Sequence, residues 1–312
     1  MASGVKAKEF SDVKSWDLRL KCQVLSSKLS VLQICALVPY IEPMQEPGCP
    51  KDGRTRQLVR YLTQGAEWCR RTLLNLLLPP CCVNCHAELA ADQEELLFCD
   101  KCRAVLAPAA WRYCHRCGVR LPEDCATSDD CPSCRRFGLQ FDAVVPLGIY
   151  DGELRRVVLK LKRSTGEVLA MNMGRLLGHS RAEDLAALRA DCVVPIPMFW
   201  MRKFRHGINS AELLAEFLAH DLRLPCHKRA LFRKRNTVRQ MELPPRKRFR
   251  NLRDAFELRA GYDLRGVRVL LVDDVLTTGA TCSAAAKTLK KAGVPWVGVA
   301  VLARAEGHVQ QT

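Results

Sequence analysis

The sequence predicts an α/β protein, a parallel sheet with helices, preceded by two small zinc ribbons. Three observations predict it. Beyond Cys134, strand-like and helix-like stretches alternate, the pattern of strands joined by crossover helices. The run VLLVDDVLTTGAT at residues 269–281 opens with four apolar residues suited to a strand buried on both faces and closes in a Thr/Gly-rich turn into a helix. Ahead of these, four CxxC pairs form two units with 13 residues between the pairs of each, and the second unit repeats the first after 32 residues.

Along the chain, residues 1–65 carry no motif and are read as an extension of unknown role, either partly ordered or the product of an upstream start codon. Residues 66–138 hold the cysteine region, opened by an amphipathic helix at 67–78 that Pro79 and Pro80 stop. Residues 139–312 form the α/β domain. Within it, 141–150 and 192–196 read as strands, and 154–161, 168–178 and 208–220 have helical spacing. Residues 267–272, 283–292 and 296–302 complete a strand, helix, strand unit.

A CxxC turn puts two thiolates on one side of a tight hairpin, and two such turns supply the four sulfurs of a closed tetrahedral Zn²⁺ site. The spacing pairs Cys82, Cys85, Cys99 and Cys102 in one site and Cys114, Cys117, Cys131 and Cys134 in the other. A cross-braced arrangement of the same eight residues is an alternative, and Cys81 is a rival to Cys82. Four ligands leave no open position, so the metals are expected to be structural, with His86 and His115 as bystanders. Redox activity fits four evenly repeated pairs less well.

The chemistry is concentrated after residue 269. Asp273 and Asp274 stand at the carboxyl end of the strand, placed to accept hydrogen bonds from the two neighbouring hydroxyls of a ribose. The turn through Thr277, Thr278, Gly279, Ala280 and Thr281 offers backbone N–H groups at a helix N-terminus, together with hydroxyl donors, to a phosphate. These residues resemble the phosphoribosyl pyrophosphate (PRPP) motif of type I phosphoribosyltransferases. The resemblance implies that fold, with the ribose on Asp273 and Asp274 and the 5′-phosphate on residues 277–281.

A longer resemblance, over about residues 67–305, is to the competence protein F (ComF) family, in which zinc-ribbon cysteines precede a phosphoribosyltransferase-like domain. LLNLLLPPCCVNC, YDGELRRVVLKLK, VVPIPMFWMRKFRHGINSAELLA and RNTVRQMELPPRKRFRNLRDAFEL carry it in the expected order. One departure stands out: where the family usually has Arg-Gly-Phe-Asn-Gln, this chain has His206, Gly207, Ile208, Asn209 and Ser210. By the resemblance the chain is a phosphoribosyltransferase-like protein that binds PRPP or a related nucleotide with Mg²⁺ and is linked to DNA uptake in natural competence. Arg202, Lys203, Arg205 and Lys162 are then the candidates for neutralising pyrophosphate. Glutamine-dependent amidotransferase chemistry is not expected, because Ala2 follows Met1 where such enzymes start their glutaminase with a nucleophilic Cys.

A net charge of +16 and a pI near 9.3 call for an anionic partner, whether phosphorylated metabolites or single-stranded DNA. The basic run 233–239 and the cluster 246–250 are the candidate DNA contacts, with Phe249 the one aromatic in the latter. The alternative function is therefore a non-catalytic nucleotide- or DNA-binding factor. No apolar run reaches the roughly 20 residues a membrane helix needs, and no signal-peptide pattern is seen, so a cytoplasmic location is expected.

Overall fold

The computed structural model describes residues 79–90, 96–108, 112–121, 131, 134, 138–163, 166–198, 209–235, 249, 251–252 and 254–306. The chain divides into two units, Met1–Cys99 and Asp100–Thr312.

The described part of the first unit is a cysteine knuckle. The Cys82 carbonyl accepts from the His86 N–H at 2.8 Å, the Cys82 N–H donates to Ala87 at 2.7 Å, and Cys81 and Glu88 form an antiparallel bridge. The same bonds recur in the second unit, with Gly118 donating to Cys114 at 2.7 Å, Cys114 to Val119 at 2.9 Å, and a bridge between Tyr113 and Arg120. The 32-residue sequence repeat is thus a repeat of backbone hydrogen bonds. It places His86, at φ 63°, where the second knuckle has Gly118 at φ 73°. That left-handed conformation costs a residue with a β-carbon about 1 kcal/mol or more.

In the second unit, α1 is Asp100–Leu106, β1 Ala143–Ile149, α2 Gly152–Leu161, α3 Glu167–Ser180, α4 Ala182–Ala187 and β2 Cys192–Pro195. Then come α5 Ser210–Asp221, β3 Leu231–Arg233, β4 Phe256–Leu258, β5 Arg268–Leu276, α6 Ala280–Lys291 and β6 Trp296–Arg304. Strands β1, β6, β5 and β2 form one sheet in that order, every pair parallel, and β3 and β4 form a small antiparallel pair.

The sheet is covered on both faces, which explains its nearly continuous apolar strands. Side chains alternate: Val269 and Leu271 of β5, with Val297, Val299 and Val301 of β6, join Cys282, Ala285, Ala286 and Leu289 of α6 in one core cluster. Leu270 and Val272, equally buried, lie on the opposite face, where α5 packs on β5 and β2.

The expected parallel sheet is present, with two refinements. Strand β5 runs four residues past Val272, through the acidic pair, because β6 extends beside it and pairs Asp273 with Val301, Val275 with Ala303 and Leu276 with Arg304. Helix α6 starts at Ala280 rather than Ser283, because Gly279 takes the N-cap in a left-handed conformation at φ 77°. The short elements α1, α4, β3 and β4 carry too few residues for a periodic signal. The expected helix at 67–78 and the extension 1–65 lie outside the described residues. Among the described residues no helix is long and apolar enough to cross a membrane.

Candidate functional site

In a parallel sheet the carboxyl ends of the strands are where loops open and ligands bind. At this end of β5, Asp273 and Asp274 are half-buried, and the Asp273 carboxylate accepts the Asp274 N–H at 2.9 Å. Lys162, which caps the C-terminus of α2, reaches Asp274 at 3.2 Å. Burial, reinforced by the neighbouring charge of Asp274, pushes the Asp273 carboxyl up to about 8. Burial alone would lower the Lys162 pKa, but the charges of Asp274 and Asp273 raise it.

The turn that follows bends the chain from β5 into α6. Gly279 is required twice over: its φ is left-handed, and a β-carbon there would sit 3.0 Å from Leu139 and 3.3 Å from Phe141. The Thr278 hydroxyl accepts the Ala280 N–H at 3.4 Å, and the Gly279 carbonyl accepts the first helical bond from Ser283 at 2.8 Å. First-turn N–H groups of a helix lack intrahelical partners, so this turn presents donors to an anion.

The cysteines fall into two tight sets. The sulfurs of Cys82, Cys85, Cys99 and Cys102 lie within 4.8 Å of one another, as do those of Cys114, Cys117, Cys131 and Cys134. A zinc tetrahedron with bonds of about 2.3 Å has S···S edges of about 3.8 Å. The observed Cys85–Cys99, Cys114–Cys134, Cys117–Cys131 and Cys131–Cys134 separations of 3.6, 3.5, 3.4 and 3.8 Å fit it. Cross-bracing is excluded. Cys81 instead points its thiol at the Pro79 carbonyl at 3.3 Å.

The hydrogen bond between Cys114 and Cys117 lowers the Cys114 thiol and raises that of Cys117. Thiolates this close repel, and a dication between them removes the repulsion.

The second ribbon is tied to the α/β domain. The His115 carbonyl accepts the Val144 N–H of β1 at 2.7 Å, and Tyr113 donates its hydroxyl to Asp184 of α4 at 2.7 Å. Buried Arg304, at the end of β6, donates to the Cys117 carbonyl at 2.8 Å and to Leu276 at 3.0 Å.

Of the remaining sequence-derived candidates, Arg202, Lys203 and Arg205 lie outside the described residues. So do most of the DNA-contact candidates. Among those described, Arg233 stacks 5.7 Å from the Phe256 ring and Lys234 meets Glu257 at 3.2 Å. Asn209, kept from the family turn, donates to the Ile196 carbonyl at 3.3 Å and so ties the start of α5 to the end of β2. Arg304 was not among the candidates, although a cation closing the apolar run of β6 was a visible signal.

Together these features define a double-zinc-ribbon protein with a phosphoribosyltransferase fold. The double zinc ribbon domain family matches residues 73–135, and the phosphoribosyl transferase domain family matches residues 209–310. Competence protein F of Haemophilus influenzae is 30% identical over 230 residues, 72% of this chain and 96% of that protein. The DNA utilization protein YhgH of Salmonella typhi is 31% identical over 224 residues, 66% of this chain and 96% of that protein, and YhgH of Escherichia coli K12 is 30% identical over 222 residues, with the same coverage. The chain belongs to the competence protein F family.

Metal analysis of the reduced protein should find about two zinc ions per chain, all sulfur-ligated. Cys99→Ser should leave about one, with the α/β domain still folded.

The elevated Asp273 pKa carries a sign. Its folded value lies above the unfolded carboxylate's, so the stability it confers is full below about pH 4 and is lost as pH rises through about 8. Melting of Asp273→Asn against wild type should show the variant gaining relative stability between about pH 4 and 8, by about 1.4 kcal/mol per pH unit at most. A difference independent of pH contradicts the desolvated carboxyl.

Proposed function

We propose that this chain is a cytoplasmic phosphoribosyltransferase-like protein that binds PRPP or a related nucleotide with Mg²⁺ and serves DNA uptake or utilisation. The observation that carries the reading is the acidic pair set directly before a left-handed glycine turn into α6, at the carboxyl end of the strand β5. Asp273 and Asp274 take the ribose hydroxyls, and residues 277–281 take the 5′-phosphate.

The residues fit a magnesium-bearing ligand. Asp273 and Asp274 are hard oxygen donors, and the burial and neighbouring charge that raise the Asp273 pKa are offset by hydroxyl donors or a nearby cation. Bound with PRPP, Mg²⁺ would neutralise pyrophosphate and polarise its departure. The chain's own groups do the rest. Transfer breaks the C1–oxygen bond to pyrophosphate and forms a bond from C1 to the acceptor's nucleophilic atom; positive charge grows at C1 close to the carboxylates, while Arg202, Lys203 and Arg205 are assigned to the leaving pyrophosphate. Lys162, half-exposed and already on Asp274, is assigned to the same end of the ligand.

The second reading is a binder without turnover, acting on nucleotide or single-stranded DNA. The net charge of +16 and the names of the relatives, competence protein F and DNA utilization protein, favour it.

Calorimetry with PRPP and Mg²⁺ should show binding that is lost in the double variant Asp273→Asn, Asp274→Asn and weakened in Thr278→Val by about 1.5 to 3 kcal/mol. Undiminished affinity in the double variant removes the ribose assignment. Pyrophosphate release across a panel of nucleobases and amines then separates the readings: release with one acceptor makes the chain a transferase, and binding without release makes it a binder.

DNA contact has its own readout. If Arg246, Lys247, Arg248 and Arg250 track a single strand, replacing all four by Ala lowers the slope of log affinity against log salt by about 0.7 per lost contact. Wild-type binding no tighter than a neutral control's at physiological salt excludes direct DNA contact.

A further inference from the structure

The second zinc ribbon and the phosphate turn share one side chain. Arg304 is buried at the C-terminus of β6, in register with Leu276 of β5. Its Nε donates to the carbonyl of Cys117, a zinc ligand, at 2.8 Å. Its Nη1 donates to Leu276 at 3.0 Å, to Thr277, and to Ala305 at 2.5 Å. Leu276 is the last residue of β5 and Thr277 the first of the turn. One guanidinium therefore holds a zinc knuckle and the entrance of the phosphate turn at fixed separation. Burial disfavours its charge and lowers its pKa, so the carbonyls that surround it are obligatory partners.

A second connection runs in parallel. Arg116, between the ligands Cys114 and Cys117, donates to the Phe141 carbonyl and, at 2.7 Å, to the Leu139 carbonyl, with its guanidinium 5.6 Å from the Phe141 ring. Leu139 and Phe141 are the residues that a β-carbon on Gly279 would meet. Between them, the Gln140 N–H donates to Ser283, in the first turn of α6, at 2.9 Å. The knuckle thus supports the turn from both of its ends.

We propose that the second zinc ribbon is a working part of the phosphate site: Arg304 is the positioning residue that transmits the geometry of the Cys114–Cys117 knuckle to residues 277–281, so that zinc at this ribbon sets the affinity for ligand. The consequence is a device that disarms the site when that zinc is lost, with the sheet left intact. The physical basis is that of outer-shell partners of a metal site, whose bonds fix groups on both sides of them. The affinity readout rests on the PRPP reading given above; the backbone readout does not.

The full-length protein is tested as Arg304→Lys, Cys131→Ser and the double variant. Zinc content, PRPP affinity with Mg²⁺ by calorimetry, and amide hydrogen exchange are measured on each. Arg304→Lys keeps the charge and loses the fork; it should retain both zincs, bind PRPP about tenfold more weakly and expose residues 277–282 to faster exchange, with the centres of β5 and β6 still protected. Cys131→Ser should lose the second zinc and show the same two effects. Because loss of the knuckle already removes what Arg304 transmits, the double variant should be little weaker than Cys131→Ser alone. Additive losses, or unchanged affinity and exchange in Arg304→Lys, overturn the proposal. Should Cys131→Ser fail to fold, the zinc-replete Arg304→Lys protein decides alone. Should wild type bind no PRPP, the ligand reading falls, and exchange at 277–282 decides: faster exchange in the variants upholds the coupling, and unchanged protection refutes it.

Discussion

The end of the sheet is closed by one buried cation. Arg304 bonds to carbonyls of a zinc knuckle, of the last residue of β5 and of the turn beyond it. A guanidinium has five donors in a fixed fork, and no other side chain can hold so many carbonyls at once in a buried place. Strand ends without neighbours fray. Here the end of the strand that carries the acidic pair is held, because the carbonyls of Leu276 and Thr277 are taken by a residue of the adjacent strand.

That constraint reaches the second zinc ribbon. The first unit contains a knuckle whose hydrogen bonds copy those of the second, down to a left-handed residue after the second cysteine. The second knuckle is bonded to β1, α4 and β6, through His115, Tyr113 and Cys117. Its metal therefore stabilises more than a hairpin, since the ribbon's apolar cluster is built on the ligand cysteines themselves with Leu121, Val119 and Leu139, and it takes order from the ion and from the sheet.

Much of this was legible in the sequence, for identifiable reasons. The four CxxC pairs gave the correct ligand sets because sulfur geometry tolerates few spacings, and the acidic pair and glycine turn were visible because they are contiguous. The sheet showed because its strands are buried on both faces and so read as apolar runs. What was hidden is what depends on distance in sequence. Nothing local in β6 says that Arg304 reaches Cys117, 187 positions away. Lys162 was named for a family pattern, whereas its actual neighbour, Asp274, is set by the packing of α2 beside the strand ends. The extent of β5 was underestimated because aspartates disfavour strands in isolation, and pairing with β6 overrides that preference.

A crystal structure of the full chain grown with PRPP and Mg²⁺ tests most directly whether the end of β5 is a sugar-phosphate site. The result expected is the 5′-phosphate within hydrogen-bonding distance of the backbone of residues 277–281, with the ribose hydroxyls on Asp273 and Asp274. Ligand bound elsewhere on the protein, with this turn and the acidic pair untouched, contradicts it.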